Sequence, residues 1–245
     1  MKRNQILTIV LVILVLFFFI DPIYAGPGGA IAKGLFKTWW GKILLIGLTV
    51  ILLPLIIYVK FREFFAVKNA KKELLKVGKI NKDFSWLNLD KNVRNIFSRV
   101  YVAWGHEDMK EVSSYVSHWY WQNQQQVYLD EWKRNNLRNI CKLDGIRNVK
   151  PLYLEITEND NQEGSRIAFC IEANISDYLI NKTSGKIVKG RRGYQEEEKI
   201  WIMEYTDGKW LLDDIQEGQL SLAFAKMKNS IPESLSFPNR ELAAK

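Results

Sequence analysis

The chain has 245 residues, 47% of them hydrophobic, and a formal net charge of +8, which allows one or two domains. The charge is uneven: residues 60–82 carry eight basic and two acidic side chains, whereas residues 83–245 carry 22 basic and 24 acidic ones. A nucleic-acid-binding domain needs its own excess of positive charge, so the nearly neutral body of this chain excludes a bulk nucleic-acid-binding surface.

Residues 1–25 are typical of a signal peptide or of a first membrane helix. Two basic residues precede an uncharged apolar run at 6–20. This run has fifteen residues, fewer than the roughly 20 needed to cross the hydrocarbon, and a small residue stands before Gly26. The pattern favours cleavage before Gly26, with an uncleaved membrane helix as the alternative. In both cases residues 26–42 form a short loop.

The second apolar run, residues 43–59, predicts a transmembrane helix. Trp39 and Trp40 stand before it and Tyr58 near its end, as in the aromatic belts of membrane-spanning helices. Pro54 is tolerated inside such a helix because neighbouring groups in a membrane protein satisfy the freed backbone.

Residues 60–82 predict a basic, amphipathic tether at the membrane surface. Bases alternate there with apolar side chains, which suits a helix in the headgroup layer and an anionic lipid partner. A solvated basic linker is the alternative. The excess of bases after the span places the following domain in the cytosol by the positive-inside rule. The predicted membrane-surface residues are Lys60, Arg62, Lys68, Lys71, Lys72 and Lys76.

From residue 83 the pattern becomes that of an α+β domain. Apolar residues at helical spacing predict a helix over 92–104 with Gly105 as its C-cap, a short helix capped by Asp108, and a longer helix over 117–136. Period-two patterns then predict antiparallel strands, with a hairpin at Asp207-Gly208. The predicted strands lie at 152–156, 167–175, 187–188, 199–205 and 210–215.

The two cysteines and the C-terminal segment carry two further predictions. Cys141 and Cys170 have no metal-ligand spacing, so we expect buried free thiols, with a disulfide as the less favoured alternative. No metal and no cofactor is expected. The segment 229–245, which contains two prolines, is predicted to be a loose C-terminal tail.

The order of motifs over residues 84–228 resembles the Tim-forty-four-like family of membrane-anchored proteins, named after a mitochondrial inner-membrane tether with bacterial relatives. The residues that carry this resemblance are Ala103-Trp104, Asp108, Leu137, Gly145–Asn148, Ala173–Tyr178, Gly190, Glu198–Trp201, Trp210–Leu212 and Ile215. No single motif among them is unique.

The resemblance implies a cone-shaped domain of the nuclear-transport-factor-two-like superfamily, in which helices pack on a curved antiparallel sheet around an apolar pocket. It also implies docking to membranes and proteins rather than catalysis. Wide aromatic side chains suit such a pocket, with plain core filling as the alternative. The predicted pocket and ligand-binding residues are Trp104, Tyr120, Trp121, Trp132, Phe169, Tyr178, Trp201 and Trp210.

Catalytic residues are not predicted. General acid–base chemistry needs a positioned group with a suitable pKa, and the residues weighed for it show no spacing that demands chemistry. These residues are His106, His118, Asp177, Tyr120 and Tyr178.

Three functions therefore remain. The favoured one is a non-enzymatic binding or scaffold protein on the cytosolic face of a bacterial inner membrane, holding lipid or an unidentified protein. The alternatives are a pocket enzyme of the same superfamily and a type IV secretion-like envelope component, whose domain would be periplasmic.

Overall fold

The computed structural model describes residues 38–159 and 161–236. The predicted signal segment 1–25, most of the loop 26–42 and the end of the tail, from residue 237, lie outside the described residues. The chain divides after Lys60 into two compact units, and the second of these contains the globular domain.

Helix α1 runs from Trp39 to Ile80 and includes Pro54. It contains an 18-residue window with a mean hydropathy of 2.5, so by length and composition it is able to cross a membrane. Its 42 residues correspond to about 63 Å, whereas a bilayer core is about 30 Å thick. A membrane span therefore uses only part of the helix.

The later part of α1 belongs to the globular unit, which differs from the prediction of a tether outside the domain. Ala70, Leu74 and Val77 are fully buried in the main core, and their spacing marks one helix face. Gly78 lets the next turn approach closely, because a Cβ there would lie 2.8 Å from the Cα of Ser85. The bases on the other faces conceal this narrow apolar stripe in the sequence.

Helix α2, Trp86–His106, is longer than the predicted helix at 92–104. Ser85 caps its start by accepting a hydrogen bond from the Asn88 N–H. Gly105 is not the C-cap: Glu107 takes the left-handed conformation, with φ of 59°. Gly105 instead allows close approach to the sheet, because a Cβ there would lie 3.0 Å from the Cys141 carbonyl oxygen.

The following helices agree with the predicted ones. Asp108 caps the 3₁₀-helix Met109–Val112 by accepting a hydrogen bond from the Lys110 N–H at 2.9 Å. The predicted helix 117–136 is nearly continuous but contains a π-helical segment. Its parts are α3, His118–Asn123, the π-helix Gln124–Leu129 and α4, Asp130–Arg134.

An antiparallel sheet follows, which confirms the α+β class. Its strands are β1, Leu137–Glu155; β2, Arg166–Asn181; β3, Ile187–Gly190; β4, Gln195–Thr206; and β5, Lys209–Glu217. Their order is β1-β2-β4-β5, and β3 pairs with the end of β2. Asp207 and Gly208 both have positive φ in the β4–β5 turn, as the hairpin signal predicts.

Strand β1 is much longer than the predicted strand at 152–156. Its pairing with β2 contains three register shifts, between Leu143 and Gly145, between Ile146 and Asn148, and between Pro151 and Tyr153. Each shift breaks the period-two alternation, so the sequence pattern is clear only in the last part of the strand.

Side chains alternate between two apolar clusters on the two faces of the sheet. Phe169, Ile171 and Ala173 face the main core with α2, whereas Ala168 and Cys170 face a smaller cluster. The smaller cluster also includes Leu152 and Ile200, and Val67 of α1 packs against it together with Phe224 of α5, Ser221–Lys226.

The first part of the predicted loose tail is attached to the domain. Asn229 Oδ1 accepts a hydrogen bond from the Leu154 N–H at 3.0 Å, and Ser230 pairs with Glu155. The short helix α6, Glu233–Ser236, follows, and its Leu235 packs against the main core.

Candidate functional site

Half of the eight predicted pocket residues lie in the core. Tyr120, Phe169, Trp201 and Trp210 are buried, while the other four are partly exposed. Neither of the two cavities described below is lined by any of the eight.

The buried tryptophans pack against helical aromatic side chains. The Trp201 ring lies 4.6 Å from that of Phe97, and the Trp210 ring lies 4.9 Å from that of Phe84. Trp210 Nε1 donates a hydrogen bond to the Asp83 carbonyl oxygen at 3.0 Å. Trp201 Nε1 is buried and finds no hydrogen-bond partner among the described residues. These contacts hold α2 and the turn before it on the sheet.

Two of the four partly exposed aromatic residues, Trp104 and Trp132, pack against the main core and belong to an aromatic cluster at its surface. Trp104 lies 5.8 Å from Trp132 and 6.5 Å from Tyr128, measured between ring centroids. Tyr128, which is not among the eight predicted residues, completes this trio. Trp121 stands apart from it, with His118 edge-on at 5.7 Å.

The polar end of the helix-facing side of the sheet carries Asp177 and Glu197. Burial raises the pKa of Glu197. The charge of Lys199 lowers this pKa, and the charge of Asp177 raises it further. Desolvation also raises the pKa of Asp177, opposed by a hydrogen bond from Asn139 and by Lys199. The Asp177 side chain is nevertheless exposed to solvent.

The hydroxyl groups of Tyr101 and Tyr120 are more deeply buried than these two carboxyl groups. Burial raises the pKa of the Tyr101 hydroxyl, and the Cys141 thiol and Asp177 add to the rise. Burial likewise raises the pKa of Tyr120, with Asp214 adding to it and a hydrogen bond from Trp104 opposing it. Neither hydroxyl is therefore suited to act as a base at neutral pH.

The histidines lie at the surface and contact neighbours on their own segment. His106 Nδ1 is 2.9 Å from Glu111 Oε2, and both side chains are exposed. His118 Nε2 is 3.3 Å from Gln122 Nε2. Within residues 38–159 and 161–236, no group of three His, Cys, Asp or Glu side chains is arranged to hold a metal ion.

A groove of about 620 Å³ lies between the domain part of α1 and the segment after α5. Buried Leu152 forms its floor, while Phe65 and Met227 are about half exposed beside it. The charged residues that line the groove are Arg62, Glu73, Lys76, Lys226, Lys228 and Glu233.

A buried hydrogen bond fixes one wall of this groove. The Ser221 hydroxyl at the start of α5 donates to Glu63 Oε1 of α1 at 2.7 Å, and both residues are 5% exposed. The chain then leaves α5 and reaches Asn229, which is bound to β1 as described above. The basic segment 226–228 is therefore held at both ends.

A second, more open depression of about 920 Å³ lies beside the β4–β5 turn. Its polar groups bind one another: the Tyr205 hydroxyl donates to Asp83 Oδ2 at 2.8 Å, and Glu163 accepts hydrogen bonds from the N–H groups of Asp207 and Gly208. We interpret this depression as a structural connection between the turn and the start of α2.

No protein-family model matches the chain, and no curated protein sequence matches it. Among solved structures, the chain is similar to the crystal structure of the intermembrane space region of the chloroplast protein ARC6. The two are 7% identical, the match covers 51% of this chain and 93% of that chain, and the TM-score is 0.38. A likeness this weak carries no argument about this chain.

Proposed function

We propose that the protein is a non-enzymatic, membrane-anchored binding or scaffold protein of the Tim-forty-four-like type, located in a bacterial inner membrane. Helix α1 is the observation that carries this proposal. Its apolar window is long enough for a membrane span, and the same helix continues into the buried stripe of Ala70, Leu74 and Val77. The domain core thus begins about ten residues after the apolar run 43–59, a chain distance of at most about 40 Å.

We propose a cytosolic location for the domain. Residues 60–82 carry eight bases after the apolar run, and a cytosolic leaflet rich in anionic lipid attracts such a segment. Of the predicted membrane-surface residues, Lys60, Arg62, Lys68 and Lys72 are exposed, and Lys71 and Lys76 are partly exposed. Phe61 and Phe64 are exposed among them, as suits contact with a headgroup layer.

We also propose that the sheet is bent into a cone around an apolar pocket for a protein partner or lipid. The three register shifts in β1 support a bend, because bulges increase local twist and curvature. The aromatic trio of Trp104, Tyr128 and Trp132, in which Tyr128 is exposed and the two tryptophans are partly exposed, supplies apolar surface for a partner beside the core.

The decisive experiment combines membrane extraction with topology reporters. We expect the full chain to remain in membranes at alkaline pH, and a fluorescent cytosolic reporter fused after Lys245 to be active. An active alkaline phosphatase at that position would place the domain in the periplasm and favour the envelope-assembly alternative. Crosslinking in native membranes should capture a protein partner, and capture of lipid alone would refute the scaffold role.

A further inference from the structure

The groove between α1 and the segment after α5 carries an excess of positive charge. Four bases and two acids line it, with two of the bases on α1 and two at residues 226–228. Lys76 is paired with Glu73 at 2.8 Å. Arg62 and Lys228 form no ion pair with any acidic side chain of the described residues, so their charge is available to a ligand. Lys226 adds a further base beside them.

The groove combines this charge with apolar surface. Phe65, which is 50% exposed, lies on the α1 side, and Met227, which is 48% exposed, lies between the two lysines on the other side. Ile231 and buried Leu152 add further apolar lining. A phosphate with attached hydrocarbon fits such a surface better than a fully polar acidic peptide does, because a peptide would leave the apolar rim uncovered.

The position of the groove along the chain points to the membrane as the source of this ligand. Arg62 follows Val59, the end of the apolar run, by three residues, so their Cα atoms are separated by at most about 11 Å whatever the arrangement of the two units. A span that ends at Val59 therefore keeps Arg62 within reach of lipid headgroups.

We propose that this groove binds the phosphate headgroup of an anionic membrane phospholipid, with segment 226–228 as a second basic wall facing α1. The inference rests on the proposed membrane anchoring and adds a contact far along the chain from the predicted surface segment 60–82. The buried Glu63–Ser221 hydrogen bond preforms the site by holding α5 on α1.

The test reconstitutes the full chain in phosphatidylcholine nanodiscs with or without phosphatidylglycerol, using photoactivatable analogues of each lipid. Mass spectrometry then identifies the labelled peptides. Residues beside the span contact either lipid, so the informative peptides are those around residues 225–233. We expect phosphatidylglycerol, but not phosphatidylcholine, to label them. The Lys226→Glu/Lys228→Glu variant should reduce this labelling at least about tenfold, since each base near an anionic leaflet is worth about a fivefold change.

The matched control reverses two exposed lysines at β3, Lys186→Glu/Lys189→Glu, and should leave the labelling unchanged. Continued protection of the buried cysteines checks that each variant is folded.

Equal labelling by both lipids, or labelling that the Lys226→Glu/Lys228→Glu variant does not change in a correctly inserted chain, would overturn the groove site alone. If an added soluble acidic peptide abolishes the lipid adducts, the groove site is also overturned, because the groove is then assigned to a protein. A chain that does not enter nanodiscs would overturn the membrane anchoring as well.

Discussion

Leu74 and Leu75 of α1 provide a test of whether this part of the helix belongs to the domain core or is a tether at the surface. Leu74 is fully buried, whereas Leu75 is 66% exposed. We expect Leu74→Ala to destabilise the domain strongly and Leu75→Ala to have a small effect. The two changes remove the same atoms and alter intrinsic helix propensity equally, so their difference isolates burial.

The expected magnitudes follow from exposure. Full burial of a leucine side chain contributes about 1.5–3 kcal/mol, and the cavity left behind raises the cost of Leu74→Ala to about 2–5 kcal/mol. Leu75 has about one third of its surface covered, so the corresponding loss is about 0.5–1 kcal/mol.

The assay uses the two cysteines, which are the only ones in the chain and are both buried in the sheet. Their labelling in a urea titration of the detergent-solubilised full chain reports unfolding of the domain, independently of the membrane helix. Equal midpoints for the two variants would refute the burial of this helix face and restore the interpretation of residues 60–82 as a tether outside the domain.

Three other perturbations follow from individual contacts. Ser221→Ala should cost about 1–3 kcal/mol, because it leaves the buried Glu63 carboxylate without that donor, and a cycle with Glu63→Gln in the same titration should show coupling. Tyr205→Phe removes the hydroxyl that donates to Asp83 and should cost about 0.5–1.5 kcal/mol in urea unfolding; no change would mean that the bond contributes nothing. Burial raises the pKa of both cysteine thiols, so they stay protonated in the folded chain while unfolded thiols ionise above about 8.5. The free energy of unfolding should therefore fall above that pH by up to about 1.4 kcal/mol per thiol per pH unit, and a variant with both cysteines replaced by alanine should lose this slope. Urea unfolding followed by tryptophan fluorescence measures both proteins, since the variant has no thiol to label.

Local signals in the sequence predict much of the domain. The Asp108 cap and the Asp207-Gly208 hairpin depend on residues next to one another, so their chemistry can be read directly. The α+β class follows from the change of period after the helices. The burial of Leu74 is different: it depends on a core whose other members come from α2 and the sheet, and the surrounding bases suggest a solvated segment.

The aromatic residues show a second limit of the sequence. Trp201 and Trp104 both follow apolar residues in the sequence and were both predicted to line the pocket, yet Trp201 is fully buried and Trp104 is partly exposed in the aromatic trio. Alternation indicates which side chains share a face, but it does not indicate what covers that face. The groove was missed for a similar reason, since Glu63 and Ser221 are 158 positions apart.

The irregular pairing of β1 affects how copies of the chain can associate through their sheets. Apart from the Glu155–Ser230 bridge, the outer edge of β1 is joined to no other strand of the described residues, and such an edge is a template for sheet extension between molecules. Its three register shifts and the exposed charge of Lys142 oppose the regular pairing that such an extension needs. With the proposed membrane anchoring, copies confined to two dimensions would collide often, and this edge would oppose their polymerisation.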